Sequence, residues 1–359
     1  MRILIVKLSS IGDVVHALPA AAFLKRAMPE AHISWVVERR ASAILKDSPV
    51  IDRLIEIDTR AWRRQMLDGR TVLDARARLE DIRQAREPGN GSKIEVAIDL
   101  QGLIKSGLVA RASGASRRIG FDSAGLREKA SRIFLTEEVD TSHLDHVIEK
   151  NLALARAALG MNDVAGDSTP YEFPLALGPE DELFAESEAG ARENRFAILN
   201  PGGGWTTKLW PAERYGQLAD LLLEQHGLPS IVTYGPGEEA LADQVAASSR
   251  AKAARPLAST LKQFVALARR ASLFVGGDTG PLHLAAASAT PIVGIYGPTS
   301  AERNGPFDKR DIAVGLNLWC RSNCHRRTCW HWECMDIPLS SVAKAAFKRL
   351  ADKERKDPE

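Results

Sequence analysis

Between Phe196 and Gly297, short β-branched and aromatic runs alternate without interruption with stretches of helical periodicity. No other feature of the 359-residue chain restricts its fold so tightly. Strands are predicted at Phe196 to Asn200, Ser230 to Tyr234, weakly near Ala254, at Leu273 to Gly276 and at Ile292 to Tyr296. Pro211 suits the first position of a helix running to about Gln225, and Thr260 to Arg270 places apolar residues at helical spacing. Strands that alternate with helices build a parallel, doubly wound sheet, whose ligands lie at the carboxyl ends of its strands.

The first half repeats the theme less regularly, with strands predicted at Ile3 to Val6, Ile33 to Val37, Leu54 to Ile57, Val96 to Leu100 and Arg118 to Phe121. Two Rossmann-like lobes facing across a cleft are therefore expected, the length being too great for one ordinary domain. The Asp-, Gly- and Pro-rich stretch Asp163 to Pro179 reads as the linker. The basic stretch Arg60 to Gly91 reads as a surface helix or a mobile insertion, and a last helix is expected from Ser340 to about Arg355. The expected organisation is an N-terminal domain over 1–175, a C-terminal domain over 176–337, and a C-terminal helix over 338–359 that packs back toward the first lobe.

Composition removes several classes of function. With 48 basic and 46 acidic residues the net charge is +2, so no global field draws the chain to nucleic acid. The opening apolar run Ile3 to Val6 is too short for a signal-peptide core and reads as a first strand. No run approaches the roughly 18 apolar residues that a spanning helix needs. A cytoplasmic location with attachment at a membrane surface is the expectation.

Chemistry is expected in the turns that join strands to helices. The segment Val275 to His283 contains Gly277-Asp278-Thr279-Gly280 and opens a helix, so free backbone N–H groups and the positive dipole end form a cradle for a diphosphate. An ordinary capped turn is the plainer alternative, and His283, one turn in, suits core packing as well as ligand contact. A second glycine turn, Asn200 to Pro211, carries Lys208 at a spacing unlike a Walker motif, which argues against ATP hydrolysis. Lys208 could neutralise a departing diphosphate or be a solvated loop lysine. A third turn, Tyr234 to Glu239, offers carboxylates to ribose hydroxyls or to the helix dipole. In the first half, the loop Lys7 to His16 holds Asp13, a candidate general base for an acceptor hydroxyl or else a helix cap, while His16 reads as a packed side chain. Asp99 to Gly102 with Lys105 is a weaker candidate. Arginines gather between Arg60 and Arg86 and again from Arg117 to Arg132, which would suit an anionic acceptor, although most such side chains are solvated.

All four cysteines, Cys320, Cys324, Cys329 and Cys334, fall within fifteen residues, with His325 and His331 interleaved. A structural zinc or iron ion could use such soft ligands; free thiols and local disulfides are the alternatives, and a reducing compartment disfavours the last.

These residues resemble those of the ADP-heptose:lipopolysaccharide heptosyltransferases of glycosyltransferase family 9, the heptosyltransferase I branch most of all. The likeness covers Arg2 to Pro19, Trp35 to Glu38, Arg60 to Arg63, Ile98 to Ser106, Lys208 to Pro211 and Gly277 to His283. It implies a GT-B fold and an inverting transfer that requires no metal or other cofactor. The implied donor is ADP-L-glycero-β-D-manno-heptose, and the implied acceptor is the Kdo region of inner-core lipopolysaccharide, Kdo2-lipid A, at the cytoplasmic face of the inner membrane. It assigns Asp13 as general base, Lys208, Asp278, Thr279, Gly280 and His283 to the donor diphosphate, Glu239 to the donor ribose, and Arg60, Arg63 and Arg127 to the acidic acceptor. Glycines at 203 and 204 stand where that branch usually has threonines, and the cysteine-rich segment is more like other branches, which leaves a different heptose acceptor open. A GT-B-like nucleotide-sugar epimerase, a non-catalytic nucleotide-binding module and a dinucleotide oxidoreductase are the competing readings. The last lacks a Gly-x-Gly-x-x-Gly after the first strand.

Overall fold

The computed structural model describes residues 1–64, 69–83, 93–161, 170–190, 195–320, 324 and 326–354. The chain divides into two compact units, Met1–Ala176 and Leu177–Glu359. Residues 163–169 of the stretch expected to link them, and His325, lie outside the described residues.

The first unit is built on a six-stranded sheet in the order β3-β2-β1-β4-β5-β6, with β1 Arg2–Val6, β2 His32–Glu38, β3 Arg53–Ile57, β4 Val96–Asp99, β5 Arg117–Phe121 and β6 Glu137–Val139. The second has β7 Ala197–Asn200, β8 Ser230–Tyr234, β9 Ala254–Ala258, β10 Leu273–Gly277, β11 Ile292–Ile295 and β12 Ile312–Val314, in the order β12-β11-β10-β7-β8-β9. Counted from its own first strand, each sheet follows the order 3-2-1-4-5-6 of a dinucleotide-binding fold. Every strand pairing among the described residues is parallel; Ile5, for example, sits beside Trp35 on one side and Ile98 on the other.

Central strands buried on both faces explain the near-continuous apolar runs. In β10, Leu273 and Val275 join Leu218, Leu222, Val342 and Ala346 in one fully buried cluster, while Phe274 meets Phe264 edge-on at 6.2 Å on the opposite layer. Burying one such side chain contributes about 1.5–3 kcal/mol. The helix Leu261–Arg270 begins on a reciprocal cap: Thr260 Oγ1 accepts the Gln263 N–H and Gln263 Oε1 accepts the Thr260 N–H. Pro211 stands at the N-cap of the helix Ala212–His226, which therefore begins one residue later than expected.

The edge strands β6 and β12 were not foreseen. Each has three residues, too few to show a period. The stretch after Arg60 is helical where described, over Thr59–Arg64 and Gly69–Arg83. The last helix, Leu339–Glu354, packs in the second unit on β10, β11 and β12 and on the helix Ala212–His226.

Candidate active site

In both units the central candidates, Asp13 and Asp99 in the first and Lys208 and Asp278 in the second, fall where the chain leaves the first and fourth strands, while Glu239 follows β8, Arg60 and Arg63 follow β3, and Arg127 follows β5. There the chain crosses from one side of the sheet to the other and opens a crevice.

In the second unit β10 ends at Gly277, and the helix Gly280–Ala287 starts three residues later. Thr279 occupies the N-cap with extended backbone, yet its side chain makes no cap hydrogen bond. Its Oγ1 is buried without a partner among the described residues. The helix therefore presents both its first N–H groups and a spare hydroxyl to an anion. Asp278, 5% exposed, organises the turn. Its Oδ1 accepts Asn304 Nδ2 at 2.7 Å and lies 3.1 Å from His283 Nε2; its Oδ2 accepts Lys208 Nζ at 2.8 Å, and Lys208 also donates to the Asp278 carbonyl at 2.8 Å. Burial by itself would raise the Asp278 pKa, but His283 and Lys208 outweigh it and hold the carboxyl well below the usual range. Gly277 is fixed by crowding, since a Cβ there would stand 3.3 Å from the Lys208 carbonyl oxygen.

Lys208 arrives on the loop after β7. Asn200, buried at the strand end, donates through Nδ2 to the Thr233 carbonyl (2.8 Å), and the loop's far end is pinned by Trp210 Nε1, which donates to the Ile337 carbonyl (2.9 Å). Glu238 joins this glycine turn to the next one: its carboxylate accepts the N–H of Gly203 at 3.1 Å and of Gly235 at 2.9 Å. Glu239, the sequence's candidate, is exposed and accepts the Gly237 N–H at 3.2 Å. The sequence offered both carboxylates of this turn, and the resemblance chose Glu239 over Glu238; Asn304 was missed. Two adjacent glutamates look alike in a sequence, and Asn304 reaches Asp278 from 26 residues away.

In the first unit, Asp13 lies in the first turn after β1, 16% exposed. Its Oδ2 accepts the N–H and the hydroxyl of Ser10, each at 3.0 Å, while Oδ1 meets Arg127 Nη2 at 3.0 Å and Lys7 Nζ at 4.0 Å. Desolvation pushes its pKa up, but Lys7, Arg127 and the Ser10 N–H together hold it well below the carboxylate range. Gln101 braces the loop by accepting the N–H groups of Leu8 (3.1 Å) and Ser9 (3.2 Å). Arg127 is delivered by a close approach: Gly102, at φ +69°, has Leu126 and the Arg127 nitrogen 3.4 and 3.5 Å from where a Cβ would sit. His16 is buried beneath, edge-on to His146 at 5.7 Å, which is packing. Asp99 is spent on the N–H groups of Gln101 and Gly102 and on the Ser106 hydroxyl.

Arg60 and Arg63 stand on the helix Thr59–Arg64. The buried Glu38 anchors that helix by accepting the Thr59 N–H and hydroxyl and Lys105 Nζ (3.2 Å). Arg60 is exposed, and the Arg63 side chain lies outside the described residues. Arg40, which the sequence reading passed over, is close enough to Arg60 that burial first and this like charge second lower its pKa.

The four cysteines are free thiols. They line one cavity of about 20 Å³ with His331 and Thr207. Cys320 Sγ lies 3.7 Å from His331 Nε2 and Cys329 Sγ 3.8 Å from its Nδ1. Among the described residues no three His, Cys, Asp or Glu already stand in metal-holding geometry.

The profile of Glycosyltransferase family 9 (heptosyltransferase) matches residues 90–331, about two thirds of the chain. Lipopolysaccharide heptosyltransferase 1 of Pseudomonas aeruginosa is 28% identical over 332 residues, 92% of this chain and 87% of its own length. The structure of E. coli heptosyltransferase WaaC with ADP superposes with a TM-score of 0.73 at 26% identity, covering 88% of this chain and 93% of that one. WaaC with ADP-2-deoxy-2-fluoro heptose gives a TM-score of 0.75 at 24% identity over 98% of this chain and 100% of that one, the same fold throughout. The chain is therefore a glycosyltransferase of GT-B fold and belongs to glycosyltransferase family 9, the heptosyltransferases.

Proposed function

We propose that the enzyme transfers L-glycero-D-manno-heptose from ADP-heptose to the Kdo region of inner-core lipopolysaccharide, with inversion at the anomeric carbon. The observation that carries the donor half is the unused cap of the helix Gly280–Ala287, with Lys208 held beside it on Asp278. In this reading the diphosphate takes the first N–H groups of the helix and the Thr279 hydroxyl, and Lys208 meets its charge. Gly280 lets the phosphate approach, Asp278 and His283 hold Lys208 in place, and Glu238 and Glu239 border the nucleotide. The relatives with ADP or heptosyltransferase in their names support this choice of donor.

The first unit supplies the acceptor half. Asp13 takes the proton from the acceptor hydroxyl as that oxygen bonds to the anomeric carbon; the bond to the diphosphate breaks, and ADP leaves with the electron pair. Charge developing on the leaving oxygen is met by Lys208 and the helix terminus, so the step calls for no catalytic cofactor. Arg127, Arg60 and Arg63 hold the acidic sugar. The proposed acceptor is a membrane lipid, and attachment at the cytoplasmic face of the inner membrane is part of this reading. No helix among the described residues is long and apolar enough to cross a membrane. The cysteine cluster holds a structural zinc or iron ion.

Incubation with ADP-heptose and Kdo2-lipid A, followed by mass analysis of the lipid, tests the reading. One added heptose is expected from the wild type and none from Asp13→Ala. A product seen only with a lipid already carrying heptose would move the assignment to a later acceptor within the family.

A further inference from the structure

The cysteine segment touches the donor loop at several points. The hydroxyl of Thr207 donates to the Arg326 carbonyl at 2.7 Å, and that of Thr206 to the Arg327 carbonyl at 3.4 Å. Trp332 Nε1 donates in return to the Thr207 carbonyl at 3.0 Å. The Trp205 ring meets two cations, with Arg327 5.6 Å and Lys208 Nζ 4.7 Å from its centre. Thus the residues on either side of Cys329 grip the three residues that precede Lys208. The grip needs order in a segment where Trp319 and Trp330 are each 87% exposed and whose polar backbone has little regular structure.

We propose that Cys320, Cys324, Cys329 and Cys334 bind one zinc or ferrous ion, and that the loaded segment is a clamp that positions Lys208 for the donor diphosphate. The ligand chemistry fits: four thiolates suit either ion. His331 lies between two of these thiols, its Nε2 3.7 Å from Cys320 Sγ and its Nδ1 3.8 Å from Cys329 Sγ, and the sulfurs must draw in to about 2.3 Å from a tetrahedral ion when it binds. The shared cavity has room for one ion, the sulfurs closing onto it. His331 stacks at 6.0 Å on Trp319 and is placed to donate an N–H to a ligating sulfur. The segment packs closely on the strand-end backbone, because a Cβ at Gly297 would fall 2.3 Å from Met335 Sδ and 3.3 Å from Cys334 Sγ. Lys208 is thereby a donor-contacting residue, and the cysteines act on it through the loop.

The inference rests on the donor reading, and its test separates the two. The full chain is purified under reducing conditions, its zinc and iron are counted by elemental analysis, and ADP is titrated into loaded and chelator-stripped protein. One ion per chain is expected. Stripping should weaken ADP binding about tenfold, with the same loss in Cys324→Ser, whose thiol is exposed and whose replacement spares the core. In Lys208→Met, stripping should cost nothing more. A protein that neither carries nor takes up zinc or iron overturns the proposal. So does unchanged ADP affinity, or an equal loss on stripping in the wild type and in Lys208→Met, which would make the segment a general prop. A loaded wild type that does not bind ADP overturns the donor reading, and the clamp falls with it.

Discussion

Replacing Asp13 by Asn keeps the side-chain shape and removes the proton acceptor, so it separates catalysis from folding. The carboxylate faces Arg127 at 3.0 Å and Lys7 at 4.0 Å. At an effective dielectric constant of about 20, these pairs are worth about 5.5 and about 4 kcal/mol before desolvation. Arg127 is 42% exposed, and the carboxylate has lost much of its own hydration, so the net contribution falls to about 1–2 kcal/mol. Asn can still accept the Ser10 N–H, which keeps the local cap. The variant should therefore fold, with a melting point a few degrees lower. Its kcat should fall by about 10²–10⁴, the usual contribution of a positioned general base. ADP affinity should stay within a factor of about 2, because every proposed donor contact lies in the other unit. The folded-state pKa of Asp13 is depressed, so its stabilisation is complete above the unfolded value near 3.9 and is lost only as pH falls through the folded value. Consequently the stability gap between wild type and variant should be flat from about pH 5 to 9. Transfer by Asp13→Asn within threefold of wild type, measured as heptosylated lipid per minute, would refute the assignment.

Lys208→Met should weaken ADP binding about 10- to 100-fold by calorimetry, the loss of one charged hydrogen bond, while Asp278 keeps its bonds to His283 and Asn304. Gly202→Ala would place a Cβ 2.3 Å from a Glu238 carboxylate oxygen and push it off the Gly203 and Gly235 amides. A loss of about 1–3 kcal/mol in urea unfolding is expected, whereas Gly204→Ala, with nothing within 4 Å, should stay within about 0.5 kcal/mol. Arg349→Met would leave Asp311 buried without its 2.7 Å partner, at about 3–5 kcal/mol. Burial already pushes Asp311 up to about 6 despite that arginine, so the folded state keeps a proton that the unfolded chain loses from about pH 4 upward. Removing Arg349 raises it further, and the deficit measured by urea midpoint should be larger at pH 8 than at pH 5.

What could be read from the sequence follows from how local each feature is. The strands β7, β8 and β10 carry unbroken apolar runs because both faces are buried, and such a run is visible without neighbours. Asp13, Lys208 and Asp278 stand out for a related reason, since each follows a strand in a glycine-containing turn. The contacts that give these residues their chemistry are not local. Arg127 reaches Asp13 across 114 residues, and Arg326 reaches Thr207 across 119. Glu238 and Arg40 had neighbours of the same type, and only the fold chooses among them. The segment holding the cysteines was conspicuous by composition, but its hold on the donor loop has no counterpart in spacing.

The Asp278 cluster of the second unit and the Asp13 cluster of the first differ in how firmly they are set, and the proposed chemistry needs that difference. Around Asp278 the ion pair is buried, with Lys208 15% exposed and two further donors on the same carboxylate, so little reorganisation is left when a diphosphate arrives. Around Asp13 the partner is a half-exposed arginine. A carboxylate held well below the usual range is a poor base, and Arg127 helps to hold it there. In the proposed mechanism an anionic acceptor competes for the same guanidinium, and each bond that Arg127 gives to the acceptor is drawn from Asp13. On that mechanism, binding of an acidic sugar should raise the basicity of Asp13 at the moment its hydroxyl needs a base, and a neutral sugar of the same shape should leave the pair closed. Arg127→Met removes the distinction: acceptor affinity falls by about 10-fold or more, while transfer to a neutral acceptor analogue, slow in the wild type, becomes no slower. A variant that lost transfer to charged and neutral acceptors by the same factor would show that Arg127 only holds the fold, and the exchange would have to be abandoned.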